Sequence, residues 1–168
     1  MEQRDRAPYP DEQACLGLLC AFGTPAHVVA HCRAVANVAV RMGAALAERG
    51  HPLDLSLIKA AALLHDIART EQNHEVAGAA YVERAGCSPR VGEIIRTHMN
   101  LPEGTHEINE AVVVYLADKL VEEDREVSLE RRYAPRIERA DGPLKEIIRQ
   151  KYERAQEVYK MVSEVLSR

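Results

Sequence analysis

Tryptophan is absent from this 168-residue chain and phenylalanine occurs once. A core must therefore be built from Ala, Leu, Val and Ile, a palette that favours helices. There is no basic excess either: 22 Lys and Arg stand against 26 Asp and Glu, leaving a net charge of -4 and a pI near 6.0. That balance argues against general affinity for nucleic acid or an anionic membrane, so a phosphate-bearing ligand would need a local basic pocket. Cys15, Cys20, Cys32 and Cys87 form no C-x-x-C pair, which excludes a dense secreted framework and predicts reduced, mostly buried thiols. No run of about 18 apolar residues exists. The stretch "MEQRDRAPYPDEQ" lacks an apolar h-region, so a soluble, cytoplasmic protein is expected. Neither a G-x-S-x-G elbow nor a P-loop is present, and nothing around the cysteines signals a catalytic thiol.

The length suits one domain with a real core. Gly, Pro and capping residues divide it into helical pieces. Residues 11–22 predict a short helix ended by "FGTP". Thr24 offers a cap and Pro25 a first helical position for a helix to about Arg49. Asp54 can cap Leu55 to about Ala68, and Asn73 can cap "HEVAGAAYVERA". "SPRVGEIIRTHMN" reads as a Ser cap and a helix to about Asn100. Glu107 to about Val127 predicts a long core helix; its Val run also suits a buried strand, but the stripe Ile108, Ala111, Val112, Tyr115, Leu116, Lys119 exceeds strand length. "LERRYAPRIERADGP", broken by two prolines, predicts a surface excursion, and Pro143 to Leu166 an amphipathic helix. The sum is an all-α bundle of about seven helices.

Four residues violate the apolar pattern. His31 lies one turn from both Val28 and Val35, His65 and Asp66 follow "IKAAALL", and Asp118 lies one turn after Val114 and Tyr115. A lone core histidine is more often simply hydrogen-bonded, but a carboxylate is almost never buried unpaired. Two imidazoles and two carboxylates from three helices make a ligand set for a divalent cation, whose charge offsets the cost of burying the acids. Adjacent helical residues point about 100° apart, so His65 and Asp66 can share an ion only at the edge of their helix.

"HCRAVANVAVRMGAAL", "AALLHDIART" and "YLADKL", in that order, resemble the HD-domain superfamily of metal-dependent phosphohydrolases, over roughly residues 24–127, with 128–168 as the charged excursion and terminal helix. The resemblance implies an HD-domain helical bundle in which His31, His65, Asp66 and Asp118 are metal ligands. His74 and His98, between the HD pair and Asp118, resemble the further histidines of dinuclear members. That arrangement is nearest to the YqeK-like diadenosine-polyphosphate hydrolases, in which the Asp of the pair, here Asp66, bridges two ions. The HD-GYP phosphodiesterases fit less well, since their GYP motif is missing and Met99 follows His98. From the YqeK pattern the segment "KLVEEDR" departs.

The chemistry implied is hydrolysis of a phosphate ester or anhydride of a nucleotide or related small metabolite, by water activated between one or two divalent transition-metal ions. Mn or Fe is favoured by the resemblance; Ni, Co and Zn accept the same ligands. Asp66 is the central catalytic residue, and Arg69 and Lys119 are candidates to hold non-transferred phosphates, with Arg125 and Arg132 as further cations. His27, one turn before His31 on the same helix face, is a decoy or lies outside the ligand set, since the resemblance selects His31 through the "HCRAVANVA" register; His51 and His106 are assigned no chemistry. Expected partners are a small phosphorylated substrate and a second copy in a homodimer, with no nucleic acid and no membrane. The alternative is an HD regulatory or ligand-binding module that holds metal without turnover.

Overall fold

Eight helices and one short hairpin make up the described part of the computed structural model, residues 9–168; the first eight residues of the polar leader lie outside it. In chain order these are α1 (Glu12–Phe22), α2 (Ala26–Glu48), α3 (Leu55–Leu64), α4 (His74–Arg84), α5 (Pro89–Thr97), α6 (Glu110–Lys119), β1 (Val121–Glu122), β2 (Arg125–Glu126), α7 (Leu129–Arg139) and α8 (Gly142–Leu166). The fold is all-α, as the composition predicts. Among the described residues no helix is long and apolar enough to cross a membrane.

α3, "LSLIKAAALL", is the axis of the core. Asp54 caps it by accepting from the Leu57 amide at 3.1 Å, and Leu57, Ile58 and Ala60 to Leu64 are all buried. A helix apolar nearly all round must be surrounded, and α1, α2, α5 and α6 pack on it. α6 is buried in the same way from Val112 to Lys119. The Val run is helical, with Asn109 capping it and α2, α3, α5 and α8 packed around it, so that apolar residues on every side of the helix are covered.

Small residues let α2 approach α3 closely. A Cβ at Gly43 would stand 2.9 Å from both Ile58 Cδ1 and Leu55 Cδ2. Alanine would gain about 1 kcal/mol of helix propensity but overpack a site where Ile58 is fully buried, at a cost of roughly 1–3 kcal/mol. Gly43→Ala is therefore expected to lower the urea midpoint with an unchanged m-value, a net loss of about 1 kcal/mol.

Several boundaries differ from the sequence reading. Thr24 does not cap α2; its hydroxyl donates instead to the Ile67 carbonyl at 2.8 Å, tying the α2 entrance to the loop after α3. Asn73 precedes α4 in the left-handed region, φ 49°, without a side-chain cap bond. α3 ends at Leu64, so the His-Asp pair sits in the following turns and not within the helix. α6 stops at Lys119, and the hairpin takes over with Val121 opposite Glu126 and Glu122 opposite Arg125. Continuing the helix would have put Glu122, Glu123 and Asp124 at its negative end, where the macrodipole disfavours acids.

The expected surface excursion is also a helix. Ser128 caps α7, accepting from the Arg131 amide at 3.1 Å, and Leu129 and Tyr133 turn inward. Pro135 lies inside α7, while Pro143 falls in the first turn of α8, where no amide is needed. α7 packs on α8 through a small apolar cluster of Leu129, Tyr133 and Ala155, with the Tyr133 and Tyr152 rings stacked at 5.1 Å. The thiols are free, as expected, but two of the four and not most are buried: Cys15 and Cys32 are, Cys87 is half-buried and Cys20 is exposed. Burial pushes the Cys15 thiol up to about 12, which leaves it inert at neutral pH.

Candidate metal centre

The turn that ends α3 aims the His-Asp pair into a cleft between α2, α4, α5 and α6. His65, completely buried, donates from Nδ1 to the Ala62 carbonyl one turn back at 2.7 Å. His98, just past the end of α5, does the same to the Ile95 carbonyl, also at 2.7 Å. His31 on α2 donates from Nδ1 to the carbonyl of Glu123 at 2.7 Å. In all three rings a backbone carbonyl fixes the proton on Nδ1 and turns Nε2 toward the cleft, the orientation in which an imidazole presents a lone pair to a cation. Glu123 holds its carbonyl there from a left-handed backbone, φ 55°, at the hairpin tip. Such strain in a residue with a side chain persists only where surrounding structure enforces it.

Around Asp66 the donors fall into two sets. Its Oδ2 lies 3.8 Å from His31 Nε2 and 3.7 Å from His65 Nε2, and those two nitrogens lie 3.0 and 3.3 Å from Asp118 Oδ1. The other oxygen, Oδ1, lies 3.2 Å from His74 Nε2 and 3.3 Å from His98 Nε2, and the two imidazole nitrogens are themselves 3.3 Å apart. Donors bonded to one ion at about 2.0–2.1 Å are spaced at about this distance. His31, His65 and Asp66 form one group that could hold a metal ion, and Asp66, His74 and His98 form another. The six predicted ligands are thus brought together, with Asp66 shared.

Burial supports the fit. His65 Nε2 has no hydrogen-bond partner although it is fully enclosed, an arrangement that costs about 1–3 kcal/mol unless something else meets the lone pair or proton. A divalent ion would meet it, and imidazole and carboxylate are its usual ligands. Without an ion, the groups compensate one another. Desolvation pushes Asp66 up, but the positive His65 and bonds from His74 and His98 overcome it, so its carboxyl is held well below the usual range. Asp118 is likewise raised by burial and lowered further by Lys119, His31 and His65, for a net fall. Burial lowers His65, yet Asp66, Cys32 and Asp118 together carry it well above its ordinary value. His98 falls, because burial outweighs its bond to Asp66.

The centre opens into a cavity of about 990 Å³. Arg69 lines it, half exposed, with Nε 3.7 Å from Asp66 Oδ2. At that exposure the pair contributes little, which leaves the guanidinium available to a ligand. Lys119 is different: it is buried, and Nζ donates to Asp118 Oδ2 at 2.7 Å and to the His98 carbonyl at 3.2 Å. It holds Asp118 so that Oδ1 faces the imidazoles. Arg132 reaches the cavity while donating to the carbonyls of Asp118 and Val121, bracing the junction of α6 and the hairpin. Arg125, on β2, is exposed and does not line the cavity. His27 lies on the wall without joining either donor set; His51 and His106 lie elsewhere.

Sequence reasoning missed Glu123, whose role rests on a carbonyl that any residue carries. It also missed Arg136 and Lys151, which line the same cavity from α7 and α8. For Arg136 the clue available was the basic content of its segment, but the prolines masked the helix that presents it, whereas Lys151 lies on the expected terminal helix and nothing in the sequence aims it at the cleft.

The family model described as the HD domain matches residues 28–122. Among curated proteins, a tRNA (cytidine(56)-2'-O)-methyltransferase of Thermoplasma volcanium is 33% identical over 138 residues, 72% of this chain and 39% of that protein. Its counterpart in Picrophilus torridus is 32% identical over 137 residues, 71% of this chain and 39% of the relative. An uncharacterised protein of Methanocaldococcus jannaschii is 32% identical over 76 residues, 44% of this chain and 45% of the relative. The chain spans about two fifths of the length of these curated relatives. No solved structure matches.

Proposed function

The chain belongs to the HD domain family, and we propose that it is a metal-dependent phosphohydrolase acting on a phosphate ester or anhydride of a nucleotide or related small metabolite. One observation carries this reading: the two oxygens of Asp66 face two separate donor sets, His31, His65 and Asp118 on one side and His74 and His98 on the other. His31, His65, Asp66 and Asp118 would hold one divalent ion and Asp66, His74 and His98 a second, which favours the dinuclear, YqeK-like type within the family. Divalent ions bound there would supply Lewis acidity, lowering the pKa of water and neutralising charge on phosphoryl oxygens.

The chain's own residues do the rest. Ala62, Ile95 and Glu123 carbonyls keep Nε2 of His65, His98 and His31 free to ligate. Lys119 and Arg132 brace Asp118, one at its carboxylate and the other at its carbonyl. Arg69, half exposed on the cavity wall, would clamp a phosphate oxygen and favour the charge that builds during transfer.

Elemental analysis of protein purified without chelator, followed by turnover of a nucleotide panel with Mn, tests this. One to two ions per chain and phosphate release support it; absence of metal sinks it. A second reading comes from the relatives named as tRNA methyltransferases: an HD module that holds metal without turnover and serves a tRNA-directed protein. Stoichiometric metal, no turnover on a broad panel and retention of tRNA in a binding assay would favour it. The net charge of -4 gives that reading no general electrostatic support.

A further inference from the structure

A second cavity, of about 580 Å³, lies beside the metal cavity on its α8 side and is bounded by the segment 99–104, α6 and α8. The two share Met99, Lys119 and Lys151 as lining residues. They are therefore successive compartments of one cleft, divided by the buried Lys119 side chain. Their characters differ. The first holds the His and Asp donors, whereas the second offers Leu101, Tyr115 and Ile147 as apolar walls, Asn100 and Gln150 as amide groups, and Glu103 and Arg154 as charges of opposite sign. A recess of several hundred Å³ that combines apolar walls with a few convergent polar groups suits a small organic body rather than a bare ion. The Tyr115 ring carries the Lys119 ammonium 4.9 Å from its centroid, which places a positive charge and an aromatic surface together at the partition.

Lys151 is the distinguishing residue. It lies on α8, outside the segment 28–122 that matches the family model. It faces both compartments, and among the described residues no carboxylate lies within salt-bridge distance of it, although Arg69, Arg136 and Arg154 on the same cleft each have one. A free ammonium at the junction of an ion-binding compartment and an apolar one is placed to meet an anion whose organic part continues into the recess.

We propose that α8 makes this cleft a nucleotide site in two parts: the phosphates lie between the metal centre and Lys151, and the heterocyclic base lies in the second compartment against Leu101, Tyr115 and Ile147. The amides of Asn100 and Gln150 read the base edge. This rests on the phosphohydrolase reading for the position of the phosphates, and it assigns selectivity for the base to α8 and the segment after α5.

The test is calorimetry of the full chain loaded with Mn, titrated with the α,β-methylene analogues of ADP, GDP, CDP and UDP and with methylenediphosphonate as the probe without a base. At least one base-bearing analogue is expected to bind ten-fold or more tightly than methylenediphosphonate. Ile147→Trp, at a half-exposed position on the recess, is expected to erase that advantage and leave methylenediphosphonate binding unchanged. Lys151→Met is expected to weaken both kinds of probe about ten-fold, the size of one lost phosphate contact, while Lys151→Arg retains most of the affinity. If no base-bearing analogue exceeds methylenediphosphonate, or the advantage survives Ile147→Trp, the base compartment is wrong even though metal and diphosphonate bind. A chain that takes up neither metal nor methylenediphosphonate overturns the phosphohydrolase reading itself, and this inference with it.

Discussion

Asp66→Ala is expected to release metal from both halves of the centre and to lower phosphohydrolase turnover at least about a thousandfold, a barrier change of about 4 kcal/mol. His51→Ala should leave metal content and turnover unchanged. The magnitude follows from position. Loss of a group that only supports a ligand costs about 10- to 100-fold in metal affinity or activity, but Asp66 offers one oxygen to each donor set, so a single substitution damages both. It also leaves His65, buried and dependent on Asp66 for its raised pKa, without its main countercharge. Elemental analysis beside a turnover assay reads the result, and circular dichroism checks that the helices persist. A folded Asp66→Ala protein with undiminished metal would show that the two donor sets are not joined through this carboxylate.

The second large effect is a reversal in how stability responds to pH when metal is removed. In the metal-free chain the raised pKa of His65 makes its protonated form stabilising. That contribution is fully present below the unfolded value near 6.5 and is lost as pH rises through the higher folded value. The depressed Asp66 and Asp118 act in the other direction: their contribution is present above the ordinary carboxylate range and disappears only in strong acid. Between neutral pH and mild alkali the metal-free protein should therefore lose stability. Metal binding needs His65 neutral, so affinity should climb over the same interval. An ion at a hundred times its Kd adds about 2.7 kcal/mol, or roughly 5–10 °C in Tm for a chain of this size. Melting with and without chelator from pH 6.5 to 9 should give a gap that widens with pH; a gap that is constant or narrows would show that His65 does not exchange its proton for an ion.

The residues that announced the centre did so by being out of place. Asp66 and Asp118 stand in segments otherwise apolar, and burial of a carboxylate has so few inexpensive solutions that the sequence nearly names a cation as the partner. The histidines were weaker signals singly and gained force from their joint order along the chain. The helices were legible for a similar reason: apolar residues at a 3.6 period, bounded by Asp54, Ser88 and Pro143, leave little freedom in what the segment can become.

Elsewhere local rules gave way. The helix expected to run to Val127 stops at Lys119 because a fully buried Val121 and the run of acids after it favour a hairpin. The segment expected as an excursion folds as α7 because Leu129 and Tyr133 find Ala155 and Tyr152 on a helix that comes later in sequence. No window of a dozen residues contains that information.

Taken by itself, the sequence determined the fold class and the identities of six groups able to ligate metal, since both follow from the cost of placing a given side chain in water or out of it. Only the tertiary structure decided that Asp66 serves two donor sets, that Glu123 orients His31 across 92 positions of chain, and that α8 closes the cleft with Lys151. Those facts depend on directions and distances between segments remote in sequence. They are set by how whole helices pack, and a carbonyl or an unpaired ammonium has no address until that packing is complete.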